Sequence, residues 1–136
     1  MKKGGLKDEE EYIPGEKNIG PAERRKRYMA GIAGFILATV YLIVFQLLDF
    51  PTWSIFFTAL PFFVGYIGII QGKESFCAMF ALREIYDVSR GGGSRGVVKS
   101  ESDHQKDLKK AWRIHIYSIV LAVFSTLIVY IGLVIL

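Results

Sequence analysis

YMAGIAGFILATVYLIVFQLL, residues 28–48, runs for 21 consecutive positions without a charged side chain. At a helical rise of about 1.5 Å per residue such a run covers about 31 Å, the thickness of a bilayer's hydrocarbon core. The residues before it read as a helix start. Gly20 suits an N-cap, Pro21 suits the first helical position, and Glu23 lies at the positive end of the helix dipole. The cluster Arg24, Arg25, Lys26, Arg27 follows at the depth of lipid headgroups, where each cation gains about 1 kcal/mol from an anionic leaflet. Asp49 and Pro51 end the run.

Two more apolar blocks lie beyond it. The connector DFPTW (49–53) is short, so the next helix must be an antiparallel neighbour, and Trp53 marks the interface. A second span covers about 54–70, with Pro61 inside it and a kink expected near Phe57. Residues 75–89, SFCAMFALREIYDVS, carry an imperfect apolar stripe broken by Arg83 and read as an interfacial amphipathic helix. RGGGSRG (90–96) reads as a loop. Ser102 and Gln105 fit a capping box for a third helix, which continues into the apolar span 116–136. Residues 1–20 are polar, mixed in charge and without apolar period, and read as a flexible cytoplasmic tail ahead of a membrane domain at 21–136. The expected class is an all-α membrane protein, with three transmembrane helices in an antiparallel bundle and a cytoplasmic interfacial helix.

Charge orients the spans. Residues 1–27 hold eight Lys and Arg, the connector 49–53 none and the loop 72–115 nine, which accounts for all 17. By the positive-inside rule the N-terminus and the 72–115 loop are cytoplasmic, and the C-terminus is outside the plasma (inner) membrane. The same placement argues against a nucleic-acid partner. The basic residues sit beside spans, facing an anionic cytoplasmic leaflet, and are not interleaved with stacking aromatics.

Helices in lipid associate through close packing of small residues. Ala30, Gly34 and Ala38 form such a stripe in the first span, Gly65, Gly68 and Gly72 in the second, and Ser118, Ala122 and Thr126 in the third. These stripes serve either packing within one three-helix bundle or a homo-oligomer contact.

Chemistry-bearing residues are few. No Asp, Glu, Lys, Arg or His lies in the middle of a span, which argues against a pump or a coupled transporter. Cys77, the one cysteine, is the candidate reactive thiol, set against a plain reading as a small apolar side chain. His115 stands where the third span begins. His104 is eleven residues earlier, about 16 Å along the helix, so the two cannot clamp one haem from a single chain. The glycines at 91–93 lack the Gly-Lys-Ser/Thr ending of a phosphate loop. No catalytic constellation, metal set or cofactor motif is read, and an enzyme is not expected.

LPFFVGYIGIIQGKESFCAMFAL (60–82) resembles an uncharacterised group of small bacterial membrane proteins, through Leu60, Pro61, Phe62, Gly65, Gly68, Gln71 and Cys77. The basic stretch through His115 into the last span is similar too. A looser resemblance links residues 18–82 to the two-helix inner-membrane domain sometimes fused to rhodaneses. It rests on Asn18, Gly20, Glu23, Arg24 and Arg27 at the start and Cys77 and Phe80 at the exit. The proline that usually follows that cysteine is Ala78 here, and the third helix is additional. Neither resemblance implies a known activity. Two classes therefore remain. One is a non-catalytic accessory, assembly or structural subunit with a membrane-protein partner or in a homo-oligomer. The other is a thiol-dependent redox or sulfur-handling protein that uses Cys77 with a soluble partner.

Overall fold

The computed structural model describes residues 11–90, 93 and 95–136. The first ten residues of the N-terminal stretch, and residues 91, 92 and 94 of the glycine-rich loop, lie outside them. Helix α1 spans Pro21–Leu47, α2 Ala59–Glu74, α3 Ala78–Leu82 and α4 Glu101–Tyr130, the last continuing as a π-helical turn through Ile135. A 3-10 segment, Thr52–Thr58, precedes α2, and two short antiparallel strands, β1 (Ile85–Tyr86) and β2 (Gly96–Val97), lie between α3 and α4. Three segments, Pro21–Leu47, Thr52–Glu74 and Glu101–Ile135, are long and apolar enough to cross a membrane. Their outward faces agree with that solvent: Ile32, Ile36, Val40 and Ile43 on α1, and Val120, Val123 and Leu127 on α4, are exposed. Such continuous apolar faces are costly in water and ordinary in lipid.

Glycine sets the contact between α1 and α2. A Cβ on Gly34 would lie 2.5 Å from the Gly65 nitrogen, and one on Gly68 would lie 2.5 Å from the Gly31 nitrogen. Backbone meets backbone at both points, which only a residue without a side chain allows. The pairs descend along α2 as they ascend along α1: Tyr28 faces Gly72, Gly31 faces Gly68 and Gly34 faces Gly65. Ala38 continues the buried stripe, but Ala30 is exposed and Gly31 takes its place. The spacing 31, 34, 38 alternates three and four residues, as a stripe on a helix of 3.6 residues per turn must.

Helix α4 packs on both α2 and α3, and its buried residues are Asp107, Ala111, Ile114, Ser118, Ala122 and Thr126. Ala111 and Ile114 cluster with Phe76, Ala78 and Ala81, with Ile67 and Ile70 of α2 against them. The Ser118 and Thr126 hydroxyls donate to the carbonyls of Ile114 and Ala122 one turn earlier, at 2.8 Å each. They therefore sit in an apolar contact without an unmet polar group. Tyr66 and Ser125 share a 2.6 Å hydrogen bond between α2 and α4. Helices α1 and α4 flank α2 and make little contact with each other.

Several expectations need correcting. Pro61 does not kink a helix near Phe57. The chain is 3-10 up to Thr58, and Pro61 falls in the first turn of α2, where its missing N–H breaks no helical bond. The interfacial helix over 75–89 reduces to the five residues of α3. Glu84 takes a left-handed φ of 59°, and β1 follows. The helix-breaking geometry falls beside Arg83, where the apolar stripe failed. The N-cap of α4 is Ser100, whose Oγ accepts from the Asp103 nitrogen at 3.4 Å. Ser102 lies inside the first turn, and Gln105 bonds the Glu101 side chain. Residues 11–20, read as part of the tail, are packed against the rest. Tyr12 stacks on Tyr86 with ring centroids 4.4 Å apart, and Asn18, Ile19 and Gly20 are buried.

Candidate functional site

Everything polar and buried at the N-terminal end of α1 converges on the link between α2 and α3. Ser75, with a φ of 56°, turns the chain out of α2, and its carbonyl accepts from the nitrogens of Asn18 and Ile19. The Asn18 side chain then clamps the backbone of Cys77. Its Oδ1 accepts from the Cys77 nitrogen at 2.7 Å, and its Nδ2 donates to the Cys77 carbonyl at 3.0 Å. Two residues on, a Cβ at Gly20 would lie 2.4 Å from the Val88 carbonyl oxygen, so the two backbones pass this closely only because Gly20 has no side chain. The Gly20 nitrogen donates to the Asp87 carbonyl, and the Asp87 nitrogen donates to the Asn18 carbonyl. An Asn-x-Gly start therefore has a physical reason: one residue holds the thiol's backbone and the other admits its neighbour.

Arg27 reaches inward from α1. Its Nη2 donates to Glu23 Oε1 and to Cys77 Sγ, each at 3.1 Å, and its guanidinium lies 5.6 Å from the Phe80 ring centre. Arg24 donates to Ser75 Oγ at 3.0 Å. Of the four cations expected at headgroup depth, Arg25 and Lys26 are exposed, whereas Arg27 is largely enclosed. Lys26 pairs with Glu23 at 2.8 Å. Asn18, Gly20, Glu23, Arg24, Arg27, Cys77 and Phe80, scattered over more than sixty positions, thus form one connected network.

Beside this network lies a cavity of about 260 Å³ lined by Arg27, Gln71, Cys77 and His115, with Met79 and Leu82 on its apolar side. Four helices contribute, which is why the sequence, with no histidine near Cys77, did not pair the two. Cys77 is buried, and the cation at its sulfur is Arg27 from α1. Lys73 and Arg83, its sequence neighbours, are both exposed. Gln71 Oε1 accepts from the Ala78 nitrogen at 2.7 Å and so caps α3. His115 Nδ1 is 2.9 Å from the Ala111 carbonyl. A carbonyl only accepts, so Nδ1 carries a proton and donates it to Ala111.

A second polar clasp was not legible in the sequence. Asp107, fully buried on α4, accepts from the Tyr12 hydroxyl and the Gly15 nitrogen, both at 2.7 Å. Burial and then the Asp107 carboxylate raise the Tyr12 phenol above its ordinary value, which keeps it a donor. Asp87, also fully buried, accepts from the Ser89 nitrogen and hydroxyl and from the Gly93 nitrogen, and so closes the loop before β2. No group of three or more His, Cys, Asp or Glu among the described residues is placed to hold a metal ion. No protein family, no curated protein and no solved structure matches the chain.

Proposed function

We propose that this chain is a non-catalytic accessory, assembly or structural subunit of a larger complex in the plasma (inner) membrane. Its three helices form an antiparallel bundle, with the N-terminus cytoplasmic and the C-terminus outside. The observation that carries the reading is the open side of the bundle. Because α1 and α4 touch α2 and hardly each other, a groove of about 500 Å³ runs between them, lined by Thr39, Leu42, Ile43, Gln46, Val129 and Gly132. Its walls are apolar and carry two side-chain polar groups, Thr39 and Gln46. A neighbouring transmembrane helix offers packing and a hydrogen-bond partner for the Gln46 amide near the end of the first span. The polar groups at the other end support the reading too, because Asn18, Asp87 and Asp107 are engaged in holding the chain's own segments together.

The test uses Gly132, where an added side chain meets open space within the chain itself. Gly132→Phe fills the groove without disturbing the bundle. Wild-type protein purified from native membranes in mild detergent is expected to carry a stoichiometric partner or a second copy. Gly132→Phe is expected to keep its melting temperature and lose that partner. A wild-type chain that purifies alone and monomeric contradicts the reading.

One observation favours a second reading, a thiol-dependent protein acting with a soluble partner: the Arg27 guanidinium sits on Cys77 Sγ at the wall of a cavity that also holds His115. Cationic surroundings are what reactive cysteines use.

A further inference from the structure

The cavity beside Cys77 has an unmet hydrogen-bond donor. Gln71 is 8% exposed, and its Oε1 is fixed by the Ala78 nitrogen. The amide therefore cannot be turned round, and its –NH2 group is left at the cavity wall with no partner among the described residues. The –NH2 group is accessible from the cavity, so a ligand that supplies an acceptor there completes its hydrogen bonding. The other polar groups at the wall are the Arg27 guanidinium, the Cys77 sulfur and the His115 ring, whose Nδ1 is already taken by Ala111. The single fixed cation is shared with Glu23, so the site suits one negative charge and not two.

The opposite wall is apolar. Met79 and Leu82 are about half exposed, and Ile67 lies behind them. Arg27 and His115 immediately precede the uncharged runs 28–48 and 116–136, so polar and apolar walls meet where a membrane surface would lie. Pockets for drug-sized ligands measure about 300–1,000 Å³. At about 260 Å³ this one takes a compact head and the first carbons of a chain, with the remainder running over Met79 and Leu82 into lipid. We infer that the cavity binds a single acyl chain with a monoanionic oxygen head, its oxygens accepting from Gln71 and Arg27. A free fatty acid and the headgroup end of an anionic phospholipid share this chemistry. The inference rests on the membrane placement proposed above. A chain that does not remain in nanodiscs fails that placement first, whereas a nanodisc-bound chain that ignores anionic amphiphiles fails the cavity alone.

Cys77 reports occupancy because its sulfur lies at the wall. Full-length protein in phosphatidylcholine nanodiscs is treated with N-ethylmaleimide, with and without palmitate, phosphatidylglycerol or inorganic phosphate. Retention of radiolabelled palmitate after exchange into fresh nanodiscs is measured in parallel and does not depend on the thiol's reactivity. At about ten times the half-saturating concentration, palmitate is expected to slow modification about tenfold, the change in the free fraction. Slowing by phosphatidylglycerol and not by palmitate supports the same chemistry with a phospholipid as its source. Gln71→Glu keeps an oxygen for the Ala78 nitrogen and puts an anion where the donor was, so protection and retention should both disappear. Leu82→Trp crowds the apolar arm and should weaken both, which gives a second variant if Gln71→Glu fails to fold. Equal protection and retention in wild type and both variants overturns the inference, as does protection by inorganic phosphate alone. So does the absence of both effects in the wild type.

Discussion

Asn18 shows how much of this structure rests on single polar side chains. It is fully buried, bonds both backbone groups of Cys77, and through its own backbone ties Ser75 to Asp87. Replacing it by Leu leaves the Cys77 N–H unmet, at a cost of about 1–3 kcal/mol, while the Cys77 carbonyl keeps the Ala81 nitrogen as a donor. Asn18→Leu should therefore melt well below the wild type in detergent while still inserting. An unchanged melting temperature would mean that the clamp is dispensable. Cys77→Ser is expected to behave differently, because serine keeps an acceptor for Arg27 at similar size and leaves the backbone clamp in place. It should fold and insert as the wild type does. If it does not, the sulfur is needed for packing. If it does, and maleimide modifies the wild-type thiol quickly in native membranes, the thiol reading gains weight. The role of Asn18 was only half legible. Its place ahead of Gly20 stood out in the sequence, but its partner lies 59 positions away, and no local period marks such a pair.

Helices, by contrast, were legible where their own sequence decides them. Uncharged runs and the Gly20-Pro21 start place α1 and the apolar part of α4 directly, because length and lack of charge are local properties. The short elements were not legible. Region 75–89 mixes helix, left-handed turn and strand within fifteen residues, and β1 exists only because β2 pairs with it from across the loop. Only the first position of the α1 stripe was misread, Ala30 for Gly31, since both are small and only the partner helix chooses between them; Gly34 and Ala38 lie on the buried face. Mutation separates the two. Gly31→Ile, Gly34→Ile and Gly68→Ile drive a branched side chain into backbone at 2.5–2.8 Å. Each should reach the membrane yet lose about 1–3 kcal/mol, or more, from overpacking. Ala30→Ile and Leu37→Ile, both on exposed positions, should melt as the wild type does. If Ala30→Ile is as damaging as Gly31→Ile, the register that puts Gly31 against Gly68 is wrong.

Across the whole molecule, an apolar shaft meets a compact polar end. The helices present outward faces suited to lipid, and glycine contacts hold α1 on α2 without any large apolar core. The hydrogen-bonded clamps gather where residues 11–20, the α2–α3 link and the start of α4 come together. That end lies beside the basic residues of 1–27 and 72–115, whose distribution is what the proposed orientation rests on. The central claim is that the chain crosses a membrane three times with this polar end inside, and cysteine labelling in intact cells tests it most directly. In a Cys77→Ser background, Thr52→Cys and a cysteine appended after Leu136 should react with an impermeant maleimide added outside. Gly5→Cys and Gly92→Cys should react only after the cells are opened. Labelling of Gly92→Cys from outside would contradict the three-span account.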